Sequence, residues 1–65
     1  MRVFTISNYE GKYLCSIDAE TYTLDKNGVV KFLFTREVEN GPHPAFENIV
    51  AAVFSIDKVW FTVEG

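Results

Sequence analysis

Residues 49–63 read "IVAAVFSIDKVWFTV", and whether this run is a membrane helix or a pair of strands decides what fold the chain can adopt. A membrane span needs about 20 consecutive apolar residues, whereas Asp57 and Lys58 interrupt this run directly after Ile56. Ala51 and Ala52 favour helix, but Ile49, Val50 and Val53 are β-branched and stiff at χ1. "SIDK" has turn character, and "VWFTV" consists almost wholly of strand formers. Strand, turn and strand is the economical reading. Paired as a hairpin, the two strands would direct Val50, Ala52, Phe54, Val59, Phe61 and Val63 into a core. Ile49, Ala51, Val53 and Trp60 would then face outward, and this unusually apolar outer face is the first place to expect a second chain.

The remaining segments repeat the two-residue period. "RVFTIS" sets Phe4 and Ile6 against Val3 and Thr5, "KYLCSI" groups Tyr13, Cys15 and Ile17, and "TYTL" groups Tyr22 and Leu24. "NYEG" separates the first two, while "DAE" reads equally as a bulge, a corner or a tight link. "DKNG" at 25–28 is the strongest turn signal, because Asn-Gly accommodates positive φ. Its flanks make 20–36 a β-hairpin, with Val30, Phe32 and Phe34 on one face and Lys31, Leu33 and Thr35 on the other. "EVENGPHPAFEN" holds both prolines, Pro42 and Pro44, and reads as loop or sheet edge because proline cannot donate to a ladder. A short helical turn near residues 44–48, starting at Pro44, is the one helical option.

The expected fold is therefore all-β: one domain over residues 1–65, a five- or six-stranded meander forming an SH3-like or partly open barrel. A chain of 65 residues buries only about 60% of its unfolded surface and needs a rich core or external help. The hydrophobic fraction of 48%, with six Phe, three Tyr and one Trp, supplies the first. Cys15 and His43 are the only thiol and imidazole, so no internal disulfide and no all-Cys/His zinc site is expected. Oligomerisation is the remaining aid. A small chain without a disulfide framework or a secretory signal pattern points to the cytoplasm. The net charge of −3, with acids spread along the chain, disfavours nucleic acid and anionic membrane as partners.

No cofactor, metal or catalytic constellation is expected. His43 between two prolines lacks the ligand or base spacing that would make it more than a solvated loop residue. Cys15 in an apolar alternation suits a small core side chain. Asp18 with Glu20, and Glu37 with Glu39, are spaced to share a strand face, yet no nucleophile accompanies them. Tyr9, Tyr13, Tyr22 and Trp60 could stack on bases or small rings, or simply roof an aromatic core. Among these, Tyr9 and His43 are the secondary candidates for an interaction site.

The tail "IVAAVFSIDKVWFTVEG", following "GVVKFLF", resembles small acidic all-β proteins of phages and prophages. In these a short apolar strand, a Ser/Pro-x-Asp-x turn and a Val-rich last strand close the chain. "ENGPHPAFEN" is longer than that pattern carries. The resemblance is one of fold rather than of an active site, and it implies binding to a host protein. The leading expectation is a non-catalytic interaction protein that self-associates or binds a protein partner. A small-ligand or single-stranded nucleic-acid binder using an aromatic sheet face is the rival. An enzyme subunit whose site His43 completes across an interface comes third.

Overall fold

The structure is a computed structural model that describes residues 1–64, with the side chains of Glu39 and Asn40 excepted. Its strands are β1 (Arg2–Asn8), β2 (Tyr13–Ala19), β3 (Thr21–Leu24), β4 (Val29–Asn40), β5 (His43–Ser55) and β6 (Val59–Glu64). They make two antiparallel three-stranded sheets, ordered β2-β1-β6 and β3-β4-β5. The all-β class and the six-stranded meander are those the alternation predicts, although β4 and β5, at 12 and 13 residues, are longer than the short strands expected. The sheets pack on each other and do not close into a barrel, because among the described residues no ladder joins one sheet to the other. Residues 44–48 lie within β5, so the helical option is not taken.

Two five-residue turns share one hydrogen-bond plan. Asn8 N–H donates to Lys12 O (2.9 Å), and Gly11 N–H to Asn8 O (3.1 Å). Asn8 Oδ1 accepts from the N–H groups of Glu10 (3.0 Å) and Lys12 (2.9 Å). Asp25 repeats this arrangement with Asn27, Gly28 and Val29. An Asn or Asp side chain is the right length to accept from the backbone two residues on. Gly28, at φ +78°, supplies the left-handed residue that lets the strands resume; Asn27 keeps a negative φ. The predicted 20–36 hairpin is present, with Tyr22 opposite Phe32 and Leu24 opposite Val30.

The chain changes sheet at two corners. Glu20 is the sole residue between β2 and β3, which resolves "DAE" as a corner. Its N–H donates to Leu33 O (2.9 Å), and its carboxylate accepts from Thr35 N–H (3.3 Å) and Thr35 Oγ1 (3.1 and 3.0 Å). The second corner is 56–58, where Ile56 N–H donates to Gly28 O (2.9 Å) and Tyr9 Oη donates to Ile56 O. This corner overturns the expected 49–63 hairpin: β5 pairs with β4, and β6 with β1. Ile56, anchored on the 25–28 turn, turns the chain across the sandwich before β6 begins.

Phe4, Ile6, Ala19, Val30, Phe32 and Phe61 form the buried core. Phe4, Phe32 and Phe61 lie within 4.8–5.9 Å of one another, centroid to centroid, and Tyr22 closes one side against Phe4 and Phe61. Cys15, Ile17, Ala52, Phe54, Ile56 and Val59 pack around this cluster, so Cys15 takes the structural place expected of it.

Beyond the end of β3, β4 and β5 continue as a two-stranded ribbon to a turn at Gly41-Pro42. Gly41 has φ +65°, and the ring of Pro42 holds φ near −65°, a combination that closes a II′ turn. This ribbon makes the molecule long, at 51 × 26 × 14 Å. The radius of gyration is 14.1 Å, against about 11 Å for a compact chain of this length. The accessible surface of 4823 Å² likewise exceeds the roughly 4,200 Å² typical of this mass.

Candidate interaction surface

β5 is the edge of its sheet, and among the described residues no strand pairs with its outer side. A two-residue turn makes Asn40 and His43 the hydrogen-bonded pair that closes the ribbon. Alternation from there turns the backbone groups of Ala45, Glu47 and Ile49 toward β4, and those of Phe46, Asn48 and Val50 toward the open side. Pro44, lacking an N–H, faces the same open side, which is where a strand tolerates proline. The reading of this segment as loop or edge resolves to edge.

The side chains of Phe46, Asn48 and Val50 share the outward face of the sheet, opposite Glu37, Thr35 and Leu33 respectively. A bulge then inserts Ala51: Leu33 faces Val50, and Phe32 faces Ala52. The extra residue shifts the parity of the strand. Ala52 and Phe54 therefore reach the core while Val53, opposite Lys31, points outward. Phe46 is 69% exposed, Val50 50% and Val53 52%. These three line the outward face and run beside the unpaired edge.

The other outward face is different in kind. Trp60 pairs with Ser7 and Thr62 with Thr5 on the β1–β6 ladder. With Asn8 and Phe61 they line an open cavity of about 180 Å³. Trp60 is stacked on Phe61 at 5.0 Å and 26°. A second bulge, between Ile6 and Ser7, skips Leu14 and sets Tyr13 opposite Ser7. Tyr13 Oη lies 3.1 Å from Ser16 Oγ. Tyr13 thus leaves the expected face of Cys15 and Ile17 and joins a hydroxyl-lined one.

The four residues expected to form one outward patch are dispersed. Ile49 is half-buried on the inward side opposite Phe34, Ala51 is the exposed bulge, Val53 lies outward on one sheet, and Trp60 lies outward on the other. Val50, expected in the core, is outward, and Val63, opposite Phe4 at the end of β6, is half exposed. The bulge and the division of β5 and β6 between sheets cause both differences. Phe46 and Asn48 were hidden in sequence by Pro44, which reads as a strand breaker. The signal available was the alternation Phe46, Asn48, Val50.

Tyr9 ties the first turn to the second corner, and His43 is exposed beside the ribbon's tip. Asp18 and Glu20 do not act together: Asp18 lies opposite Val3, and Glu20 clamps Thr35 at the corner. Glu37 lies opposite Phe46, while the side chain of Glu39 falls outside the described residues. Arg36 and Glu47 form an ion pair across the ribbon. Among the described residues no three His, Cys, Asp or Glu side chains are placed to share a metal ion, and no helix is long and apolar enough to cross a membrane. Comparison with protein-family models, curated proteins and solved structures returned no match.

Proposed function

We propose that this protein is a non-catalytic interaction module that takes a strand of a protein partner, or of another copy, onto the open edge of β5. The observation that carries this reading is the unpaired backbone of Phe46, Asn48 and Val50 beside an apolar outward face. Strand addition draws affinity from backbone hydrogen bonds and selectivity from alternate side chains. Both components are available along β5. Native edges are ordinarily blunted by Lys, Pro or a bulge; here Pro44 and the Ala51 bulge bracket the segment and leave its middle open. A host-protein partner, as the resemblance to phage-type proteins implies, would use the same edge.

The test is amide hydrogen exchange of 15N-labelled protein, both purified at high concentration and in cell lysate. Phe46, Asn48 and Val50 should be protected in at least one condition and exchange rapidly in dilute buffer. Rapid exchange in all three conditions overturns the reading.

The Trp60 cavity favours a second reading, a site for one small ring. Its volume is below the roughly 300 Å³ at which ordinary ligand pockets begin, and no Lys or Arg lines it to meet a phosphate. A neutral ring stacked on Trp60 should quench its fluorescence. A panel of free bases and sugars that leaves the emission unchanged removes this alternative.

A further inference from the structure

Resting on the edge-docking reading, we infer that the strand seated on β5 is β5 of a second copy, antiparallel about a twofold axis through Asn48. Four observations converge on this arrangement. The first is chain geometry. Pro44 cannot donate from the open side, and the Ala51 bulge reverses the parity of the strand, so an incoming strand has only the segment between them to pair with. Centring on Asn48 sets Asn48 against itself and Phe46 against the partner's Val50, and each of these residues then donates one N–H and accepts at one C=O. Centring on Phe46 brings Pro44 opposite the partner's Asn48 and loses a donor in each copy. Centring on Val50 runs into both bulges.

The second observation is side-chain symmetry. Phe46-Glu47-Asn48-Ile49-Val50 is apolar, polar and apolar on the outward face, symmetric about Asn48. The axis is perpendicular to the sheet, so the outward faces become continuous. Phe46 covers the partner's Val50, and the two Asn48 amides can bond to each other, each offering both donor and acceptor.

The third is charge. Glu47 is the sole charged residue between Pro44 and Ala51, and it is already paired with Arg36. The Asn48 register places it opposite Ile49, whereas centring on Glu47 would oppose two carboxylates. The ribbon's other edge, on β4, carries Glu37, whose carboxylate would repel a second acidic strand.

The fourth is the ribbon itself. A two-stranded hairpin is at best marginally stable in water, and three or more strands with an apolar face are needed for independence. Antiparallel docking of two ribbons makes a four-stranded sheet, β4-β5 followed by β5-β4 of the partner, with a sandwich at each end. Such a self-complementary contact is closed and stops at two copies.

The decisive experiment uses the whole chain in a Cys15→Ser background. Asn48→Cys should form a disulfide-linked dimer under a glutathione redox buffer, since a hydrogen-bonded antiparallel pair has Cα atoms about 5.5 Å apart, within disulfide range. Phe46→Cys should not, because the register separates the two copies of residue 46 by about 14 Å along the strands. Light scattering of the unmodified chain should give twice its 7.4 kDa mass. Phe46→Lys with Val50→Lys should halve that value while far-UV circular dichroism retains the β signature. A monomer at every concentration, with no Asn48→Cys dimer, overturns the inference. If Phe46, Asn48 and Val50 are still protected in lysate, the edge-docking reading survives that failure. A dimer that links through Phe46→Cys and not Asn48→Cys overturns the register.

Discussion

Asn8 and Asp25 do the same work at two turns, each holding two backbone N–H groups with one side-chain oxygen. Replacing either with alanine should cost about 1 kcal/mol, whereas Asn8→Asp, which keeps the acceptor, should cost much less; thermal unfolding of the three variants makes the comparison. Gly28 and Gly41 carry the same strain in two different places. An added Cβ at Gly28 would meet Ile56 Cγ1 at 3.5 Å, an ordinary contact, and at Gly41 nothing within 4 Å, so in both cases the penalty is the left-handed backbone. That penalty is about 1–2 kcal/mol. Gly28 joins the 25–28 turn to the second corner, while Gly41 serves only the ribbon. Urea unfolding followed by Trp60 fluorescence should therefore shift for Gly28→Ala and hold for Gly41→Ala. Equal shifts would mean that ribbon and sandwich unfold as one unit.

Among the elements, β5 carries the consequence of a single residue. The bulge at Ala51 lets Ala52 and Phe54 reach the core while Val50 and Phe46 stay outward. Deleting Ala51 should close the bulge and leave the faces of 43–50 as they are, because Val50, opposite Leu33, would then adjoin Ala52, opposite Phe32, in regular alternation. The close Leu33–Val50 Hα pair expected of the present register should persist in the NOE spectrum, and its loss would show that the strand had slid by one position instead. Strand existence was readable here from β-branched residues, as was the hairpin from "DKNG". Register was not. A bulge leaves the composition of a strand unchanged, and only the partner strand shows that one residue is unpaired.

As a whole, the molecule has a small core and a large periphery. Among the described residues six are buried, three of them Phe, and these hold the sandwich together. Phe32→Ala should cost about 3–5 kcal/mol, a large share of the roughly 3–10 kcal/mol that about 0.05–0.15 kcal/mol per residue gives a chain of this length. The variant should unfold at a much lower urea concentration, as followed by circular dichroism. Trp60→Ala, removing a side chain that is 46% exposed, should lose only its stacking on Phe61, about 1 kcal/mol. The contrast tests whether the aromatic cluster or the outward face carries the stability. A fold with so little interior and so much exposed apolar edge gains more from a neighbouring strand than a compact domain would.

Alternation, β-branching and turn chemistry are local, and so the all-β class, the 20–36 hairpin, the shared faces of Phe4 with Ile6 and of Val30 with Phe32, and the core place of Phe61 could be read from residue order. The interruption of 49–63 by Asp57 and Lys58 was equally plain, and it removed the membrane helix. Which strand pairs with which was a different matter. Neighbouring strands ordinarily form hairpins, and nothing within "IVAAVFSIDKVWFTV" announces that Ile56 will be held by Gly28 and that β5 and β6 will part to opposite sheets. That choice rests on hydrogen bonds and aromatic contacts between residues far apart in the chain. The open edge of β5 exists only once those contacts have formed.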